Sequence, residues 1–142
     1  MTAAQRFAQI FGAIYVLVGI LGFIPVVPFL IGVVPNVIGP FNAFELGLFP
    51  VNWLHNIAHL AIGAWGLASY RSRVGARSYA LAIGVIYALL TLLGLVPPFS
   101  ILFGLLPLFG LDVLLHLLSA LVAFAAYFAS PARGTAGRPM AS

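Results

Sequence analysis

The chain has 142 residues, of which 63% are hydrophobic and only 6% are charged. A soluble domain carries about 25% charged residues, so this composition excludes an ordinary water-soluble fold and indicates that lipid is the solvent. The net charge is +4, but the six basic residues all lie at the ends of apolar segments, which argues against a nucleic-acid-binding surface. The absence of cysteine excludes disulfides, thiolate metal sites and cysteine nucleophiles.

Four apolar segments each supply the roughly 20 residues that a helix needs to cross a bilayer. They run from Phe7 to Val27, from Val51 to Tyr70, from Ser78 to Val96 and from Leu108 to Ala129. The first is too long for a signal-peptide core, so we interpret it as a retained membrane helix. The sequence therefore predicts an all-α membrane protein with one four-helix bundle over residues 1–129. Residues 130–142 are polar and rich in glycine and proline, and we predict a disordered tail.

The arginines predict the orientation of the bundle. They precede the first segment, separate the second from the third and follow the fourth (Arg6, Arg71, Arg73, Arg77, Arg133 and Arg138). With four spans they all lie on one side, while the other side carries Glu45 and no basic residue. The positive-inside rule then places both termini in the cytoplasm. Arginine without lysine, together with abundant alanine and glycine, is typical of GC-rich bacteria, which indicates a bacterial cytoplasmic (inner) membrane.

The two halves of the chain share a pattern that indicates duplication. Glycine, tyrosine, glycine and proline recur at the same spacing in residues 12–25 and 84–97, and Gly-Leu-Phe-Pro at 47–50 recurs as Gly-Leu-Leu-Pro at 104–107. Each half, about 7–70 and 78–129, is therefore predicted to be a helical hairpin. Because two spans restore the original orientation, the hairpins should be related by a pseudo-two-fold axis along the membrane normal.

The buried ionisable residues occupy matching places in this repeat. His55 and His59 are spaced i, i+4 on the second segment, and Asp112 and His116 have the same spacing on the fourth. That spacing puts both members of a pair on one helix face. Counting from the prolines before each segment places His59 and His116 about 13 Å deep, near the middle of the bilayer. We expect two stacked polar layers inside the bundle, because ionisable groups at that depth face the interior.

Four interpretations of this His/Asp cluster (His55, His59, Asp112 and His116) stay open. In the first, His55 hydrogen-bonds Asp112 and His59 hydrogen-bonds His116 or a carbonyl, and the pairs only fix the helix register. Asp112 alone also suits a helix N-terminus. In the second, all four side chains bind a divalent transition metal, for which imidazoles and a carboxylate are suitable ligands.

In the third interpretation, His59 and His116 are the axial ligands of haem b, with space for the porphyrin provided by small residues of the facing helices (Gly12, Gly63, Gly66 and Gly84). In the fourth, the histidines begin a proton relay or line a small-ligand pocket, with further relay steps from hydroxyl side chains nearer the cytoplasm (Tyr15, Tyr87, Thr91 and Ser119).

The segment Gly-Leu-Phe-Pro-Val-Asn-Trp-Leu-His-Asn-Ile-Ala-His-Leu at 47–60, followed by Leu-Leu-Pro at 105–107 and Asp112 with His116, resembles a known family. These residues are similar to the bacterial four-helix membrane proteins grouped as domain of unknown function 4383. The resemblance extends over nearly the whole chain short of its tail, and its Asn-x-x-His-Asn-x-x-His motif is fairly specific. It implies a small integral inner-membrane protein and no assigned activity.

The sequence contains no nucleophile–base pair, phosphate loop or dinucleotide fingerprint, so we expect a protein without catalytic residues. The first functional hypothesis is a structural His/Asp cluster in an accessory subunit of a membrane complex. The alternative is a metal- or haem-binding protein with a redox or sensing role. The expected partners are the lipid bilayer and other proteins of such a complex, and no nucleic acid.

Overall fold

The computed structural model of the chain describes residues 1–24 and 30–132. Four long helices dominate it: α1 (Ala3–Leu21), α2 (Trp53–Ser69), α3 (Arg73–Leu95) and α4 (Leu111–Phe128), with a 3₁₀ segment at Phe99–Gly104. By length and composition, α1, α3 and α4 can cross a membrane. The predicted end of the first segment at Val27 and the predicted disordered tail beyond residue 132 lie outside the described residues.

Side-chain caps move the helix starts away from the predicted ones. Helix α1 begins at Ala3 rather than Phe7 because Thr2 and Gln5 form a reciprocal capping box. Helix α3 begins at Arg73 rather than Ser78 because the side chain of Ser72 accepts a hydrogen bond from the Gly75 amide. Most of the arginine-bearing linker is therefore helical.

A small antiparallel sheet lies between α1 and α2. Its strands are β1 (Leu30–Ile31), β2 (Ala43–Glu45) and β3 (Phe49–Val51), in the order β1-β2-β3. The β2–β3 turn contains Leu46 and Gly47, both with positive φ, and its ends are joined by a 2.9 Å hydrogen bond from Leu48 N to the Glu45 carbonyl. The fold is otherwise helical, as predicted, and the last strand takes up Val51, the predicted start of the second apolar segment.

The helices pack as two pairs, α1 with α2 and α3 with α4. Between α1 and α2 the backbones approach closely: a Cβ on Gly12 would lie 2.8 Å from the Gly63 carbonyl oxygen. The buried core between the pairs contains fully enclosed Tyr79, Ile83 and Tyr87 of α3 together with alanines of α1 and α4. Leucines and isoleucines point outward on every helix, as expected for a bundle in lipid.

The bundle has two chemically different ends. The sheet covers the end at which α2 and α4 begin, called the sheet end from here on. The opposite end, called the arginine end, carries Arg6, Arg71, Arg73 and Arg77 where α1 and α3 begin. There the side chain of Gln5 donates a 3.1 Å hydrogen bond to the Tyr70 carbonyl, which joins the start of α1 to the end of α2.

We expect Asn52→Ala to destabilise the sheet end. The Asn52 side chain caps α2 by accepting a 3.0 Å hydrogen bond from the His55 amide and donates to the carbonyls of Ile38 and Leu105 at 3.1 and 2.8 Å. Losing a cap and leaving buried carbonyls unpaired should cost about 2–4 kcal/mol of unfolding free energy. Thermal melting of the detergent-solubilised protein measures the effect. Gln9→Ala, which removes an exposed amide from α1, is the matched control and should melt like the wild type.

Candidate functional site

Two helix starts position the His/Asp cluster. The Asn52 cap begins α2 at Trp53, so His55 lies in the first turn and His59 in the second. Gly110, with a φ of 69°, turns the chain into α4 at Leu111, so Asp112 lies in the first turn and His116 in the second. The cluster therefore begins directly at the sheet end. Because both helices start later than the predicted segments, His116 lies only about 8 Å along its helix, counted from Leu111.

Three of the four predicted ligand residues converge. His55, Asp112 and His116 each place one ligand atom so that all three atoms lie within 4.8 Å of one another. Within this ligand group, His116 Nε2 lies 3.4 Å from Asp112 Oδ2. All three residues are buried, with exposed fractions of 5%, 2% and 2%. One residue comes from the first half of the chain and two come from the second.

His59 lies beside this ligand group and does not complete it. Its ring centroid is 4.5 Å from that of His55 and 5.0 Å from that of Tyr15, which covers its other side. Instead of two separate polar layers, the structure shows one convergent group at the sheet end with His59 and Tyr15 packed on its inner side.

The polar atoms of the cluster lack the hydrogen bonds that the structural interpretation requires. Within residues 1–24 and 30–132, no hydrogen-bond partner reaches Nδ1 of His55, His59 or His116, or Oδ2 of Asp112. The predicted interhelical pairs, His55 with Asp112 and His59 with His116, are absent from the hydrogen bonds of the described residues, and the 3.4 Å contact runs within α4. Buried polar atoms are nearly always hydrogen-bonded, so four such atoms close together without a partner are an unusual feature of this cluster.

The structure does not favour haem. The glycines predicted to make room for a porphyrin are already occupied by neighbouring helices: a Cβ on Gly66 would lie 2.8 Å from the Ala8 carbonyl, and one on Gly84 would lie 2.7 Å from the Phe124 ring. Gly12 and Gly63 oppose each other across the α1–α2 contact. These residues fit close helix packing and do not fit a macrocycle between His59 and His116.

The tyrosines predicted for a proton relay pack against the histidines and against each other. The rings of Tyr87 and His116 have centroids 5.1 Å apart, and those of Tyr15 and Tyr87 are 5.9 Å apart. Thr91 donates to the Tyr87 carbonyl at 2.8 Å, within its own helix. The Tyr15 hydroxyl has no hydrogen-bond partner among the described residues.

Sequence analysis did not include Glu45 among the candidate site residues. It was read as the mark of an outer surface, but in β2 it points inward, is only 4% exposed and leaves Oε1 without a partner among the described residues. Burial raises the pKa of its carboxyl to about 7. The sequence did contain a signal for its burial. Glu45 is a single acid in an apolar segment, and it lies two residues from Ala43 on the same face of the strand.

The comparisons with known proteins identify the family. A family model described as Domain of unknown function (DUF4383) matches residues 5–129. The chain belongs to the DUF4383 family. The region shared with DUF4383 contains all four helices, the sheet, the ligand group and Glu45, and it confirms the resemblance found in the Asn-x-x-His-Asn-x-x-His segment. No curated protein and no solved structure matches this DUF4383 chain.

Proposed function

We propose that this protein binds a divalent transition metal ion through His55, Asp112 and His116. The observation that carries the proposal is the convergence of three buried ligand atoms, two imidazole and one carboxylate, within 4.8 Å of one another. This ligand set suits Zn²⁺, Fe²⁺ and Mn²⁺. Metal–ligand bonds of about 2.1 Å at tetrahedral angles place two ligand atoms about 3.4 Å apart. The contact between His116 Nε2 and Asp112 Oδ2 has that length, 3.4 Å.

The number of ligands supports a reactive or exchangeable ion. Structural zinc sites are usually closed by four protein ligands, whereas catalytic and exchanging sites keep a coordination position for water or substrate. Here three side chains converge, and His59 stays outside their group. Two histidines and one carboxylate are also the ligands of non-haem iron sites with open positions. This supports metal handling, sensing or redox work over a purely structural cluster.

The proposal includes four membrane spans in a bacterial inner membrane, with both termini in the cytoplasm. Helix α2 has 17 residues, which lies at the lower limit for crossing a bilayer. The described arginines gather at one end of the bundle, and the positive-inside rule assigns that end to the cytoplasm. The ligand group then lies toward the extracytoplasmic side. The packing of α1 on α2 and of α3 on α4 supports two duplicated hairpins.

The deciding experiment measures metal bound to the protein purified in detergent with a tag that contains no histidine. After loading with excess Zn²⁺, or with Fe²⁺ under anaerobic conditions, and removal of free ion, elemental analysis should find about one metal per wild-type chain. His55→Gln and His116→Gln should each lose most of it, because each removes one of three ligands.

His59→Gln is the matched control for this experiment. It replaces a buried histidine on the same helix as His55, in ring contact with it but outside the ligand group. The variant should keep the wild-type metal content. A wild-type protein that retains no metal, or a His59→Gln variant that loses as much as His116→Gln, would contradict the proposed site.

A further inference from the structure

Glu45 combines several features that its place in the fold leaves unexplained. It lies on the inward face of β2, is 4% exposed, and its Oε1 has no hydrogen-bond partner in residues 1–24 and 30–132. The described arginines lie at the opposite end of the bundle, and the only ion pair among the described residues is that of His116 with Asp112. Burying a carboxylate without a partner is costly, so the fold retains Glu45 for a reason other than stability.

The sheet brings Glu45 toward the ligand group. Glu45 pairs with Phe49 of β3, and β3 contacts α4 and runs directly into the Asn52 cap of α2. The Glu45 side chain lies on the buried face of β2, and Asp112 lies in the first turn of α4, the helix that β3 contacts. It is not among the three residues whose ligand atoms lie within 4.8 Å of one another. Glu45 is therefore a neighbour of the ligand group on its sheet side.

The charges of the proposed metal site do not balance with the ligand group alone. A divalent cation bound by two neutral imidazoles and one carboxylate leaves one uncompensated positive charge in a buried place. A second carboxylate beside the site makes the assembly neutral. Carboxylates outside the ligand shell commonly act this way, and their removal lowers metal affinity about 10- to 100-fold.

We infer that Glu45 is the second acid of the metal site, an outer-shell counter-charge that selects a divalent cation held by His55, Asp112 and His116. This inference rests on the proposed function, because it assigns the charge balance of the same site. Glu45 acts through the bound ion and is a positioning residue rather than a ligand.

The test is a competition titration of Zn²⁺ between the full-length protein and a chromophoric chelator, at constant pH and in detergent. Glu45→Gln keeps the shape of the side chain and removes its charge, so Zn²⁺ should bind about 10- to 100-fold more weakly. Glu45→Asp restores the charge and should recover affinity to within about fivefold of the wild type. Leu46→Gln, which places an amide on the exposed neighbouring residue, is the control and should bind like the wild type.

Each outcome separates this inference from the proposed function. If the wild type does not bind Zn²⁺, the proposed function fails before Glu45 is tested. If the wild type binds and Glu45→Gln binds equally tightly, the ligand group stands and the role of Glu45 is overturned. Melting in the presence of a chelator is the second measurement. A Glu45→Gln variant that melts below the metal-free wild type, with no recovery of Zn²⁺ affinity in Glu45→Asp, would show that the carboxylate serves the fold and would overturn the inference.

Discussion

Replacing Gly63 with valine should push α1 away from α2 and lower the unfolding free energy by about 3 kcal/mol. A Cβ at this position would lie 2.6 Å from the Val16 amide nitrogen and 2.7 Å from the Gly12 carbonyl oxygen. Both atoms belong to the backbone of α1, so no side-chain rotation can relieve the overlap, and the helices must separate. In lipid, where close van der Waals packing drives helix association, that separation removes much of the stabilising contact.

Thermal melting in detergent, followed by circular dichroism, measures this effect. Ala64→Val is the matched control, because it adds the same β-branched side chain one residue later on the exposed face of α2. It should melt within a few degrees of the wild type. Equal melting of the Gly63 and Ala64 variants would show that the close α1–α2 approach contributes little to stability.

The double variant Asp112→Leu/His116→Leu should make the metal-free protein more stable, by about 1–4 kcal/mol. Both side chains are 2% exposed, and Asp112 Oδ2 and His116 Nδ1 have no hydrogen-bond partner in the described parts of the chain. Exchanging such groups for apolar ones of similar volume removes a desolvation cost without breaking a hydrogen bond. Metal binding should reverse the order, since Zn²⁺ at 1,000 times its dissociation constant stabilises only the wild type, by about 4.1 kcal/mol.

Melting of both proteins with a chelator and with excess Zn²⁺ checks this prediction. Asn56→Leu is the contrasting variant, because the buried Asn56 side chain donates a 2.7 Å hydrogen bond to the Gly22 carbonyl. Removing a hydrogen bond that is made should lower the melting temperature in both conditions. A double variant that melts below the chelator-treated wild type would show that Asp112 and His116 hold the bundle together, and the structural interpretation of the cluster would then be preferred.

Composition and helical spacing predicted much of this architecture from sequence. Apolar segments of spanning length revealed the long helices, and the i, i+4 spacing put His55 with His59 and Asp112 with His116 on single helix faces. The repeat predicted that His55 and Asp112 belong at one level, and the structure brings them into one group. These features depend on local sequence, which is why they could be predicted without a structure.

The sequence-based predictions differed from the structure where tertiary contacts determine the helix starts and the sheet. Helix starts depend on individual caps, so the side chain of Asn52 and the turn at Gly110 place the cluster closer to the starts of its helices than predicted. Strands of two or three residues are too short to show a periodicity, so the sheet could not be predicted from the sequence. The inward position of Glu45 follows from the pairing of β2 with β3. The residue pattern within a single strand does not predict that pairing.

The link between the two halves at the sheet end has a consequence for the biogenesis of the protein. Ile38 N donates to the Gly104 carbonyl at 2.9 Å and Asn52 Nδ2 donates to the Leu105 carbonyl at 2.8 Å, so the segment before α2 is fastened to the segment before α4. His55 is supplied by the hairpin that is translated first, and Asp112 and His116 by the one translated last. A nascent chain with only α1 and α2 inserted has one of the three ligands and nothing to fasten its sheet to. On the proposed function, the metal site is therefore complete only after the last two helices have been inserted.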